Sequence, residues 1–327
     1  MTQNSAGPRY LGEPTEERPL RIERLLSRSE RMKCWLRWHY ASLREARARK
    51  VVRRLGWDEP VERMQIGERG NTPHGYLRAL KELIPIRGRN LAFLGCGNGE
   101  ELLLGAHYGA ASCTGVEHLV HQRAWTKVQE YAKAHYPGCV IRFETIRQMD
   151  DLRNHPQTYD GIYTGAVLEH VGDLETFARW CATLLRPGGW LFSVWGPMWW
   201  VYSGDHIAAE LGFDHGFDHL LLSEPEYLTW YRNHPRNRSI IAAGKPTWLD
   251  LGIHCSQRHY YEYFQTLSRH LRVRWRHVIW SDEAMQYAAT YPGQVERLTA
   301  VHSLRSFEPY LKSAAVVAVK PGDEDST

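Results

Sequence analysis

Long apolar runs are missing from this chain of 327 residues. Its most apolar stretch, Leu184–Tyr202, is broken by Arg186, Pro187, Gly188, Gly189, Gly196 and Pro197, so no segment reads as a membrane span. Met1 to Pro19 is polar and proline-containing, with no apolar centre for a secretion signal, and a cytoplasmic location is expected. Cysteine is sparse. The six thiols, at positions 34, 96, 113, 139, 181 and 255, show neither paired metal-ligand spacing nor a dense disulfide pattern. That argues against a disulfide-stapled scaffold, and buried thiols in a reducing compartment are the plain reading. There is no internal repeat beyond a single echo of Phe213-Asp214-His215 at Phe217-Asp218-His219. No aromatic-rich strand motif or zinc pattern argues for nucleic acid.

What is present is ordinary in bulk and uneven in detail. Hydrophobic residues make up 43% and charged residues 24%, as in globular proteins that bury a large core. Eight of the 13 tryptophans fall between Trp190 and Trp280. The net charge of +4 divides into +9 over residues 21–54 and −5 elsewhere. Ile22, Leu25, Leu26, Met32, Leu36, Tyr40 and Leu43 recur there at helical spacing. Two readings stay open: a basic arm that meets an anionic partner or membrane surface, or surface helices packed on the domain with solvated arginines.

The pattern predicts four regions. Residues 1–75 are a disordered start followed by a basic helical extension, with a glycine- and proline-containing loop over 57–75. Residues 76–196 alternate apolar strands with helices, which implies an α/β fold with a doubly wound, mostly parallel sheet covered on both faces. Residues 197–270 form a cap rich in aromatics and histidines, and 271–327 return to the sheet.

The first chemical motif is Phe93-Leu94-Gly95-Cys96-Gly97-Asn98-Gly99, a strand running into a glycine-rich turn and then a helix. Glycines let a ligand approach the main chain closely. Glu117 ends the next strand, 22 residues after Gly95, near the interval at which an acid reaches a ribose hydroxyl pair. Glu100 stands where a dinucleotide fingerprint has its third glycine, and Glu101 follows it. Two carboxylates at that helix start would repel a pyrophosphate. They suit a phosphate-free, sulfonium-bearing cofactor, although helix-dipole stabilisation alone also accounts for them.

These residues, with three further motifs in order, resemble the class I S-adenosylmethionine (SAM)-dependent methyltransferases. Thr114-Gly115-Val116-Glu117 is similar to the family's second-strand motif. Tyr159-Asp160-Gly161-Ile162-Tyr163, followed by Ala166-Val167-Leu168-Glu169-His170-Val171, is similar to the fourth-strand motif with its Glu-His pair. Leu184-Leu185-Arg186-Pro187-Gly188-Gly189 resembles the turn into strand five. The resemblance implies a Rossmann-like sheet of seven strands and SAM as cofactor. Leu94, Gly95, Cys96, Gly97 and Gly99 would line its methionine part, Glu117 would hold the ribose hydroxyls, His118 would be a further cofactor contact, and Thr164, Gly165 and Ala166 would sit at the carboxyl end of strand four. Gln148, Met149 or Asp150 would flank adenine, although Ile146–Asp151 departs from the family's usual triplet there.

The segment after strand five is where the family commonly roofs its acceptor. Trp199, Trp200, Tyr202 and His206 are the expected substrate contacts, and His206 and His170 the expected bases, because histidine titrates near neutral pH. Aromatic packing with ordinary histidines is the alternative. A metal held by His206, His215 and His219 with nearby aspartates fits no recognised spacing, so no metal is expected. Gly196–His206 loosely resembles loops of bacterial sugar and small-molecule methyltransferases. The expected acceptor is a hydroxyl of a small molecule or glycan. An N- or C-methyltransferase, or a silent module that binds through its basic arm, remains the alternative.

Overall fold

The computed structural model describes residues 22, 26–33, 35–36, 64–66, 76–77, 80–146, 159–250 and 255–322. The predicted disordered start, most of the basic segment, and Gln148, Met149 and Asp150 lie outside the described residues.

The strands are β1 Met64–Ile66, β2 Asn90–Leu94, β3 Ser112–Glu117, β4 Val140–Thr145, β5 Tyr159–Gly165, β6 Leu185–Trp195, β7 Arg272–Trp280 and β8 Leu311–Val319. They form one sheet in the order β1-β7-β8-β6-β5-β2-β3-β4. All neighbours are parallel except β8, which runs antiparallel to both β6 and β7. Seven of these strands are the expected Rossmann-like set. The eighth, β1, pairs in parallel with Val278–Trp280 at the sheet edge, inside the stretch read from sequence as a loop. Three residues are too few to show a strand's alternation.

Among the described residues, the α-helices that follow β2 are α1 Leu102–His107, α2 Gln122–His135, α3 Leu174–Leu184, α4 Asp218–Leu221, α5 Glu224–Asn233, α6 Pro235–Ala242, α7 Tyr260–Ser268, α8 Asp282–Thr290 and α9 Pro292–Val301. The Asp173 carboxylate accepts from the Thr176 N–H at 3.0 Å and caps α3, which buries Leu174, Phe177, Ala178, Cys181 and Leu184 on one stripe. Among the described residues, no helix is long and apolar enough to cross a membrane.

Strand alternation divides the core between the two sheet faces. In β8, Ala314, Val316 and Ala318 join one apolar cluster, with Phe177, Leu184 and Tyr263. Ala315 and Val317 join the other, with Phe93, Leu103 and Val128. Ile22 and Leu26 of the basic segment pack on that second cluster, and Arg31 Nη1 lies 2.8 Å from His107 Nε2, so this part of the segment docks on the domain. A third cluster lies outside the sheet. Trp199, Tyr202, Phe217 and Tyr227 meet Tyr287 and Leu298 of α8 and α9. The cap therefore draws on two insertions, one after β6 and one between β7 and β8.

Candidate active site

The turn after β2 is held open by backbone conformation. Gly95 has φ +68° and Gly97 φ +49°, in the left-handed region that favours glycine. A methyl group on Gly95 would lie 2.4 Å from Val167 Cγ2, while one on Gly97 would meet open space. Gly95 is thus fixed by packing, and Gly97 leaves room for a ligand. The loop is clamped from behind. Gly95 N–H donates to the Val116 carbonyl at 2.8 Å, and Trp125 Nε1–H donates to the Gly97 carbonyl at 2.8 Å.

Glu117 completes the clamp. Its Oε2 accepts from Gly97 N–H at 2.8 Å, and its Oε1 accepts from His118 N–H at 2.8 Å, with the His118 ring nitrogen at 2.7 Å. Burial alone would raise this carboxyl. The His118 ring and the two N–H donors outweigh it and hold the group below the usual carboxylate range.

A cavity of about 360 Å³ opens in front of the loop, at the carboxyl ends of β2, β5 and β6. That is where open α/β sheets bind ligands, and the volume falls in the range of small-molecule sites. Gly95, Cys96 and Gly97 form one wall, and Gly165 and Ala166 another. Trp195, Gly196 and Ser313 also line it. Ala166 itself is left-handed, at φ +54°, a conformation that costs a non-glycine residue about 1 kcal/mol or more. Inside the cavity, Glu101 keeps part of its surface open to the space, while dense surroundings push its carboxyl up to about 7, against the pull of the Tyr163 hydroxyl.

The expected site residues fall into groups. Gly95, Cys96, Gly97 and Gly165 line the cavity, with Glu117 and His118 bonded behind them. Leu94 and Thr164 are buried in the strands one residue short of the lining. Gly99 packs on the Phe143 ring. Trp199 and Tyr202 belong to the cap cluster, and Trp200 stacks on His259 at 5.4 Å, so these aromatics pack the cap rather than line the cavity.

His170 and His206 face each other, with ring centroids 5.0 Å apart, and neither lines the cavity. His215 instead pairs with Asp218 at 2.8 Å, and His219 meets the Trp199 carbonyl at 2.8 Å. Glu169, next to His170 in the chain, reaches the cavity wall. Its buried Oε1 accepts from the N–H of cavity-lining Gly196 at 2.9 Å, and burial raises its carboxyl to about 8.

Sequence reasoning did not place Tyr76, Tyr163, Glu101 or Ser313 in the cavity. Glu101 had a signal, as the second acid after the glycine loop. Tyr76 and Ser313 had none, because only the closed sheet brings the start of the domain and β8 to the same opening.

A family model described as "Methyltransferase domain" matches residues 69–243, more than half of the chain. The ubiquinone biosynthesis O-methyltransferase of Albidiferax ferrireducens is 31% identical over 117 residues, 36% of this chain and 44% of that protein. The mitochondrial human enzyme of the same name is 31% identical over 112 residues, 33% of this chain and 29% of that one. The chain therefore spans less than half the length of these curated relatives. Among solved structures, a SAM-dependent methyltransferase of Mesorhizobium loti is 18% identical with a TM-score of 0.44, covering 75% of this chain and 97% of that one. Geranyl diphosphate C-methyltransferase of Streptomyces coelicolor is 13% identical with a TM-score of 0.43, covering 75% and 76%. By its family match, sheet topology and glycine loop, the chain belongs to the class I SAM-dependent methyltransferases, and SAM is its cofactor.

Proposed function

We propose that this chain transfers the SAM methyl group to a hydroxyl oxygen of a small molecule or glycan. The observation that carries the reading is the single cavity running from the Gly95–Gly97 loop to Gly196, with Glu101 inside it. The loop takes the methionine part of SAM, and Glu117 is the partner of its ribose. The Glu101 carboxylate offsets the positive charge of the bound cofactor. Leu94, Gly99, His118 and Thr164 shape the loop and strand ends from behind, and Gln148, Met149 and Asp150 are the proposed adenine neighbours. An oxygen acceptor is supported by the names of the curated relatives, which are O-methyltransferases.

In the reaction a C–O bond forms as the C–S bond breaks. The sulfonium becomes a neutral thioether, S-adenosylhomocysteine, and the hydroxyl proton must leave the acceptor. Alignment of oxygen, methyl and sulfur supplies much of the acceleration. We assign the proton to the acceptor side of Gly196, where Glu169, His170 and His206 stand together. Trp199, Trp200 and Tyr202 hold the cap that bears His206 and bound the acceptor space indirectly.

The test is incubation with methyl-labelled SAM and a panel of phenols, sugars and amines. Label recovered on oxygen supports the proposal. Label found only on nitrogen or carbon overturns the choice of acceptor atom.

A further inference from the structure

Three side chains from distant parts of the sequence, His170, His206 and Cys255, meet in one cluster. His170 ends the short helical turn Leu168–His170, His206 lies in the loop after β6, and Cys255 precedes α7. One ring nitrogen from each histidine and the Cys255 sulfur all lie within 4.8 Å of one another. Cys255 Sγ is 4.0 Å from His170 Nδ1. The thiol is buried, and both imidazoles are half-buried.

We propose that His170, His206 and Cys255 form a site for a divalent transition-metal ion of the Zn²⁺ class, with a fourth position open to water or a hydroxyl oxygen. The donor set selects the ion. Two imidazoles and a thiolate suit zinc, whereas magnesium and calcium take oxygen ligands. Three protein ligands and one open position is also how catalytic zinc is commonly held. Metal–nitrogen distances near 2.0 Å and metal–sulfur distances near 2.3 Å put tetrahedral ligands about 3.5 Å apart. Closing from 4.8 Å needs side-chain rotations of about an ångström and no rearrangement of strands.

The surroundings favour a cation. Buried acidic residues adjoin two of the three ligands in the chain, Glu169 beside His170 and Asp205 beside His206. Asp205 is fixed beside His206, its Oδ1 accepting from Ile207 N–H at 3.2 Å and Ala208 N–H at 2.9 Å. Trp248 stands edge-on to both imidazoles, 5.7 Å from His170 and 5.8 Å from His206, and restricts their rotation. A metal here lowers the pKa of an oxygen in its open position, which would ease loss of the acceptor proton. That role rests on the methyl-transfer reading; the site itself does not.

The test uses Co²⁺ as a spectroscopic stand-in for Zn²⁺. The full chain, stripped with a chelator, is titrated with Co²⁺ and then with Zn²⁺, and SAM affinity is measured on the same samples by calorimetry. One equivalent of Co²⁺ should give a thiolate charge-transfer band with the visible bands of a four-coordinate ion, and Zn²⁺ should displace both. Cys255→Ser should abolish the charge-transfer band while SAM binding persists. It should weaken Zn²⁺ binding by at least about 100-fold, since losing a mere supporting group costs about 10–100-fold. His206→Gln should weaken Zn²⁺ binding by at least about 10-fold. Absence of the band in the unaltered chain, or its persistence in Cys255→Ser, overturns the site. The first result needs no variant to fold. A loss of SAM binding in the unaltered chain would count against the cofactor reading and leave the metal result standing.

Discussion

At the scale of single residues, the account turns on two carboxylates held in opposite electrostatic states. Glu117 is kept ionised by its N–H donors and His118, so it is ready to accept from hydroxyls. Glu117→Ala should weaken SAM binding by about 1–3 kcal/mol, the cost of losing a charged acceptor, as read by calorimetry. Unchanged affinity would remove Glu117 from the ribose site. Glu101 is the reverse case, raised by burial from the ordinary 4.5 to about 7. Its protonated form is favoured by the fold, so the stability it contributes is present below pH 4.5 and is lost as pH rises through about 7. A cationic cofactor prefers the ionised form. SAM affinity should therefore climb with pH through about 7 and then level off, and Glu101→Gln should flatten both this rise and the loss of thermal stability. A pH slope that survives in Glu101→Gln would assign it to another group. Glu117 was legible in the sequence because strand spacing fixes where the acid falls. The open face of Glu101 was not, since only Gly165 on a neighbouring strand leaves room for its carboxylate, whose Oε2 would lie 3.1 Å from a methyl there.

At the scale of elements, the glycine turn and the cap make separable claims. Gly95→Ala combines left-handed backbone with a contact at 2.4 Å to Val167, so it should cost about 1–3 kcal/mol in urea unfolding. Adding Val167→Ala should recover the part due to the clash and leave the backbone part. Full recovery would show that the turn carries no strain. In the cap, Phe217 is wholly buried against Tyr202 and Tyr287. Phe217→Ala should cost about 3–5 kcal/mol if the cap unfolds together with the sheet. A separate early transition that leaves SAM binding intact would instead show that the cap melts by itself. Strands β2 to β6 were legible because apolar runs alternate with helical spacing. Helices α8 and α9 went unread, although Ser281 caps the first by accepting from Ala284 N–H at 3.1 Å and Pro292 opens the second. The stretch was read only for its return to the sheet.

At the scale of the whole molecule, the sheet order does what no local motif could. It brings Tyr76, the loop after β2, the ends of β5 and β6, and Ser313 to one opening, and it leaves His170, His206 and Cys255 gathered behind it. The sequence marked the cofactor half because that chemistry uses backbone turns with fixed spacing. For the proposed acceptor side it named His170 and His206 but not their meeting with Cys255, because those loops come together only in the folded chain. The tryptophan-rich segment shows the difference: Trp199 and Trp200 read equally well as substrate walls, yet they pack against Tyr227 and His259 within the cap.

Whether the cavity between the Gly95 loop and Gly196 binds SAM is decided by calorimetric titration of the full chain with SAM. The account predicts binding of one equivalent, with a dissociation constant between about 1 µM and 1 mM. It also predicts that Glu117→Ala weakens this binding by about fivefold or more. No heat of binding in a folded sample, or equal affinity in the two proteins, would contradict it.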